Sequence, residues 1–252
     1  MVGCSPGCAT RSSDVTPPLF LVDVPVEVGV VVVSGDEGRH ASDVRRLHPG
    51  EQVLVGDGAG TLGSAAVVSV ARGAVTVDVT DVRRQPRPDP SFTVAQALAK
   101  GGRDEDAVEA MTEVGVDIVI GWQAARSIAK WTDRTGERWR ATARAAAKQS
   151  RRAWVPEVDG SVSTAELADR VPAADLAIVL TEDATEPLTE VSVPDAGGVL
   201  LVVGPEGGIA PEELDRLVAA GARPCRLGPH VLRTSTAGVA ALSVLSAQRR
   251  WR

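Results

Sequence analysis

The sequence predicts two folding units, a small β-rich one and beyond it an α/β unit built on a mainly parallel sheet. Three observations carry this reading. Between Val26 and Val82, valine-rich runs of strand length alternate with turn residues. Prolines at 86, 88 and 90 in QPRPDP then stop regular pairing and stiffen the chain. After them VDIVI, LAIVL and GVLLVV are continuous apolar runs, as strands covered on both faces of a parallel sheet require. A length of 252 residues leaves one large domain or a small one followed by a larger one open, and the proline break favours the second.

In chain order, VEVGVVVV, QVLV, AAVVSV and VTVDV are each of strand length. Val75, Val77 and Val79 alternate with Thr76, Asp78 and Thr80, the period of a strand with one wet face. Asp57-Gly58 signals a tight turn, Arg72-Gly73 closes a hairpin, and GRHASDVRRLHPG reads as a short helix ended by Pro49-Gly50. These elements make a small barrel or sandwich over residues 18–85. In the second unit, residues 91–252, Phe92–Ala97 reads as a strand and Asp104–Val114 as a helix stopped by Gly115. Pro211 suits a first helical position, Glu212 and Glu213 suit the positive end of that helix dipole, and Gly221 suits its stop. Thr236–Trp251 closes the chain as a helix with Val239, Leu242 and Leu245 on one face.

With 44% hydrophobic and 24% charged residues the composition is that of a globular chain rather than a disordered one. No apolar run reaches bilayer length, and the opening MVGCSPGCATRSS lacks the apolar core of an export signal, so the expected location is cytoplasmic. Residues 1–17 read as a disordered leader. Cys4 and Cys8 fall within it, and no further ligands nearby complete a metal site. A net charge of −6 argues against a whole-surface grip on nucleic acid. Yet Arg140, Arg144, Lys148 and Arg152 recur every four residues with alanines between them and no acidic partners in sequence. Charge rows are usually just solvated faces, but the alanines between these cations and the missing acids favour an RNA phosphate track, which Arg39, Arg45 and Arg46 of the first unit would extend.

Gly204-Pro205-Glu206-Gly207-Gly208 sits between a buried strand and a helix, where open α/β sheets hold ligands. The spacing is neither a dinucleotide fingerprint nor a phosphate-binding P-loop. A second segment, LGPHVLRTSTA from Leu227 to Ala237, stands at another strand end. GPEGG followed some twenty residues later by LG-x-x-VLR-x-x-TA resembles the RsmE-type methyltransferases, of the knotted SPOUT class. Lys100, Arg103, Glu113, Gly115, Arg126-Ser127, Gln149-Ser150, Arg152 and Pro156 match further family motifs in order, and His40, Arg46-Leu47 and Gly56-Asp57-Gly58 resemble its barrel motif. Two positions depart: Ser235 and Ala110 stand where the family carries Glu and Lys.

The resemblance implies a PUA-like β-barrel followed by a SPOUT domain with a deep trefoil knot. It implies a homodimer that uses S-adenosylmethionine (SAM) to methylate N3 of a uridine in small-subunit (16S) ribosomal RNA. Other knotted methyltransferases act elsewhere on RNA, and a non-catalytic RNA-binding assembly module is the alternative of a different class. Carried over, the cofactor would meet Leu180, Thr181, Glu182, Gly204, Pro205, Glu206, Gly207, Gly208, Leu227, Gly228, Val231, Leu232 and Thr234, with no metal. Uridine N3 carries a proton at neutral pH, so transfer needs a base or a cation that stabilises the developing anion. Arg233 is the candidate for anion stabilisation and Glu206 for the base. Alternatively Arg233 contacts phosphate or solvent and Glu206 holds its own loop. Arg126 joins the RNA-binding set. His230 reads as a solvent-facing residue, and Trp131, Trp139 and Trp154 as core or interface.

Overall fold

A computed structural model describes residues 16–251, so Cys4, Cys8 and nearly all of the expected leader lie outside the described residues. The first sheet has five strands: β1 (Leu19–Leu21), β2 (Gly29–Val33), β3 (Gln52–Gly56), β4 (Thr61–Ala71) and β5 (Ala74–Arg84). Their spatial order is β1-β3-β4-β5-β2, with β1 parallel to β3 and the other pairs antiparallel. As the alternation requires, Val75, Val77 and Val79 are buried while Asp78 and Thr80 face water. Arg72-Gly73 closes the β4–β5 hairpin, and Asp57 shapes the β3–β4 turn by accepting from the N–H groups of Ala59 (2.7 Å) and Thr61 (2.9 Å). The predicted helix begins earlier, as α1 (Gly35–Arg39), and continues as a π-helical turn over His40–Val44. It stops short of Pro49 because Arg46 takes a left-handed backbone (φ 53°). Strand β1 has only three residues, too few to show a period.

The second sheet contains β6 (Ser91–Ala97), β7 (Ile118–Gln123), β8 (Glu157–Ser163), β9 (Leu176–Leu180), β10 (Gly198–Val203) and β11 (Arg223–Cys225), in the order β11-β9-β10-β6-β7-β8. Every pairing is parallel. Helices α2 (Arg103–Glu113), α3 (Asp133–Gln149) and α6 (Thr234–Arg249) cover one face, packing Met111, Trp139 and Leu242 against Phe92, Val94, Ile178 and Leu201. Helices α4 (Thr164–Arg170) and α5 (Pro211–Ala219) cover the other, where Leu167 and Leu217 meet Ala95, Ile120, Val179 and Val202. Alternate residues of one strand thus serve opposite cores, which is why these runs are apolar throughout.

The sheets meet along α3 and the segment after it. Leu19, Leu21, Leu62 and Ala153 form a shared apolar cluster, and the N–H groups of Gly60 and Val155 donate to the carbonyls of Ala153 (2.9 Å) and Gly58 (2.9 Å). Trp154 Nε1 donates to the carbonyls of Gln85 (3.0 Å) and Pro86 (3.1 Å). Gly60, at φ +102°, lies so close that a Cβ there would sit 2.6 Å from the Trp154 ring. Trp139 is fully buried and Trp131 packs edge-on to it at 5.2 Å, so these tryptophans are core and interface residues as expected.

Candidate active site

The strand order places β10 beside β6, while the chain leaves their carboxyl ends for opposite halves of the sheet. This is the switch point at which open α/β folds hold ligands. Around it stand the loops after β6, β7, β9, β10 and β11. Among the loop residues predicted to bind a ligand, Glu206, Gly207, Gly208, Gly228, Val231 and Leu232 are exposed, and Glu182 beyond β9 is exposed as well. Leu180, Thr181, Gly204 and Leu227 are half-buried and Pro205 is buried. Val231 is 78% exposed, an apolar side chain presented to solvent beside the crevice.

Thr234, expected to meet the cofactor, makes a structural tie. It is buried at the first turn of α6, its Oγ1 donates to the Gly204 carbonyl (2.8 Å) and accepts from Gln96 Nε2 (2.8 Å), and this uses the hydroxyl in both roles. Gln96, fully buried near the end of β6, also donates to the Ala97 carbonyl (3.2 Å). The sequence reading missed it, although a glutamine within FTVAQALA was a signal, because a buried amide must find partners. Also missed was the reach of Glu213, which looked like a dipole-matching residue. It is buried, and its Oε1 accepts from Ala125 N–H (2.9 Å) and Thr164 Oγ1 (2.5 Å).

Glu206 faces Arg103, whose Nη1 is 3.3 Å from its Oε1, so this carboxylate ties the loop to the start of α2. Arg126 donates from Nη1 to the Gly207 carbonyl (2.9 Å). Arg233 is exposed at the N-cap of α6, and its carbonyl accepts from the N–H groups of Thr236 (2.8 Å) and Ala237 (2.9 Å). His230 is exposed as expected. Burial, with Glu186 adding negative charge nearby, pushes the Cys225 thiol up to about 11, so it is no nucleophile at neutral pH. Burial likewise raises the carboxyl of Asp104 at the start of α2.

Most cations of the α3 row do have acidic partners, and these come from distant sequence. Lys148 is 2.6 Å from Glu37 of α1, and both side chains are largely buried. Arg144 donates to the Leu21 carbonyl (3.3 Å) and lies 3.5 Å from Asp23. Arg152 is at the amino end of the sheet, donating to the Thr112 carbonyl (2.8 Å) and facing Asp117 (3.6 Å). Burial lowers its guanidinium to about 10. Three of the four therefore hold the protein together, and Arg140 remains exposed. Arg39, Arg45 and Arg46 are exposed too, Arg39 pairing with Asp36.

Fold and site together define a two-part protein whose second sheet gathers glycine-rich loops, exposed apolar side chains and the Arg103–Glu206 pair at its strand ends. Residues 86–246 match the family model of the RNA methyltransferase domain, and residues 33–80 that of the RNA methyltransferase PUA domain. The chain belongs to this RNA methyltransferase family. Among its relatives it is similar to the ribosomal RNA small subunit methyltransferase E of Mycobacterium tuberculosis, 48% identical over 92% of this chain and 93% of that one. The Bacillus subtilis protein of the same name is 32% identical over 86% of this chain and 89% of its own. A methyltransferase of Legionella pneumophila, solved with bound SAM, superposes with a TM-score of 0.82 at 28% identity, covering 92% of this chain and 98% of that one. The SAM-bound small subunit methyltransferase E of Neisseria gonorrhoeae shares the fold, with a TM-score of 0.85 at 24% identity over 93% of this chain and 98% of its own.

Proposed function

We propose that the enzyme transfers a methyl group from SAM to N3 of a uridine in small-subunit (16S) ribosomal RNA. The 48% identity to a ribosomal RNA small subunit methyltransferase E over nearly the whole chain carries this reading. The donor set fits the cofactor. Among the described residues no acceptor takes the N–H groups of Gly228, Val231 and Leu232, and the space over Gly228 is open. Half-buried Leu180 and Leu227 add apolar surface beside these donors, which suits an adenine ring edged by hydrogen bonds.

SAM supplies an already activated methyl group, so the chain's own task is to position and to manage one proton. Arg233 projects from the loop into solvent at the positive end of α6. There its guanidinium orients a uracil and stabilises the anion that forms as N3 loses its proton. Glu206, held by Arg103 at the same crevice, is the carboxylate that takes the N3 proton and passes it to solvent.

Residues 18–85 act as the RNA-binding PUA-like barrel and 91–252 as the methyltransferase domain. The knot reading is supported by the way α6 packs between α2 and the β9–β10 connection. Gln248 of α6 donates to the Val191 carbonyl (3.1 Å) and accepts from Val193 N–H (3.3 Å). Exposed Val231 and the accessible residues Ala240, Val244 and Ala247 on α6 supply a face for a homodimer. Ala241, on the same helix, is fully buried in its own core. No described helix is long and apolar enough to cross a membrane, which agrees with a cytoplasmic enzyme. Mass analysis of small-subunit RNA from a deletion strain tests the reaction. The expected result is loss of one N3-methyluridine, restored by the wild-type chain and not by Arg233→Ala. An unchanged methylation pattern overturns it.

A further inference from the structure

The loop that follows β10 is held from outside the crevice by a closed set of contacts that the reaction itself does not require. Glu213 occupies the third position of α5, where a carboxylate ordinarily reaches back to the helix start and stays in water. It does reach back, accepting from Ala210 N–H (3.3 Å), yet it is only 8% exposed. Its other oxygen lies against Ala125 N–H and Thr164 Oγ1. Thr164 in turn accepts from Trp122 Nε1 (3.1 Å), so the carboxylate is wedged between α4, α5 and the end of β7. A cap needs no such burial. Removing a carboxylate from water is costly unless donors replace the water, and here three neutral donors do so.

The residue after Ala125 is Arg126, and its guanidinium returns to the same loop, donating to the Gly207 carbonyl at 2.9 Å. The contacts therefore close a ring: Glu213 to Ala125, Arg126 to Gly207, and Ala210 back to Glu213. The glycines make room for it. A Cβ on Gly207 would stand 3.3 Å from Arg126 Cβ, and one on Gly208, at φ +73°, would stand 3.6 Å from Arg126 Nη1. On its inner side the loop is fixed by Thr234 at Gly204.

We propose that Glu213 and Arg126 are positioning residues that set the shape of the Gly204–Gly208 loop and hence the affinity for SAM, while taking no part in the chemical step. The proposal rests on the assignment of this crevice to SAM. It separates Arg126 from a purely RNA-binding role, because an RNA contact alone would leave cofactor affinity untouched.

The test is calorimetric titration of the full chain with SAM, together with methyl transfer to small ribosomal subunits at saturating SAM. Arg126→Met keeps the stem and removes the donors, and Glu213→Gln keeps the shape and removes one acceptor. Each is expected to weaken SAM binding about tenfold, the effect of one charge-assisted hydrogen bond, and for Glu213→Gln the rate at saturation should stay within about twofold of wild type. Arg126→Lys, which retains a donor, should recover most of the affinity. The double variant should bind about as well as either single one, because both break one ring. A wild type that binds SAM while both variants bind it equally well overturns this proposal alone. An Arg126→Met protein that loses RNA affinity with SAM affinity intact overturns it too. A wild type that gives no heat with SAM overturns the cofactor assignment and this proposal with it.

Discussion

Replacing Thr234 by Val removes a hydroxyl and keeps the shape of the side chain. The hydroxyl makes two hydrogen bonds at 2.8 Å, to the Gly204 carbonyl and from Gln96 Nε2, at a site only 4% exposed. Each bond contributes about 1 kcal/mol net, and leaving a buried partner without water adds about 1–3 kcal/mol per group. Gln96 keeps its bond to the Ala97 carbonyl, which lowers that sum, and its Oε1 is already buried without a partner. The expected loss is therefore about 2–4 kcal/mol. It should be read from the midpoint of urea unfolding at constant slope, with weaker binding of SAM because Gly204 is released. Thr234→Ser retains the hydroxyl and should lose about 1 kcal/mol for the missing methyl. If Thr234→Val unfolds within about 0.5 kcal/mol of wild type, Thr234 is not a structural tie. If stability holds while SAM affinity collapses, the hydroxyl touches the cofactor after all.

Ala241→Glu puts a carboxylate into a fully buried position and should cost more than about 3 kcal/mol. Thermal melting should show an unfolded or strongly destabilised chain, and a stable, folded monomer would refute the placement of Ala241. For RNA binding, Arg140→Glu should weaken affinity and flatten its salt dependence by about one counterion. Lys148→Met should leave the salt slope unchanged and lower stability, because it strips Glu37 of its 2.6 Å partner. The reverse ranking would restore the α3 row as a phosphate track. Cys225 should resist alkylation at pH 8 in the native chain, read by mass spectrometry, because its thiol titrates near 11. With the folded pKa raised, the native state holds that proton longer than the unfolded one. Stability linked to it is full below the ordinary thiol value and falls as pH rises toward 11. Rapid labelling at pH 8 would contradict the burial.

What the sequence determined by itself is what local chemistry writes into neighbouring residues. The runs LAIVL and GVLLVV became β9 and β10 at the same boundaries, and Pro211 opened α5, because burial on both faces and a fixed proline φ leave few alternatives. The proline-rich 85–90 segment fell between the sheets, and the paired GPEGG and LG-x-x-VLR motifs came to the carboxyl ends of β10 and β11, on either side of β9, where Thr234 ties the second to Gly204. The tertiary structure alone decided which polar groups meet. Lys148 looked free because its partner Glu37 is 111 residues away, and the tie of Thr234 to Gln96 was hidden because 138 residues separate them. Glu213 looked like a cap until burial brought Ala125 and Thr164 to it. The burial of Ala241 was likewise hidden, because an α-helical alanine carries no sign of which face is inward. Such pairings depend on how the sheets and helices pack across the whole chain, and a local period cannot encode them.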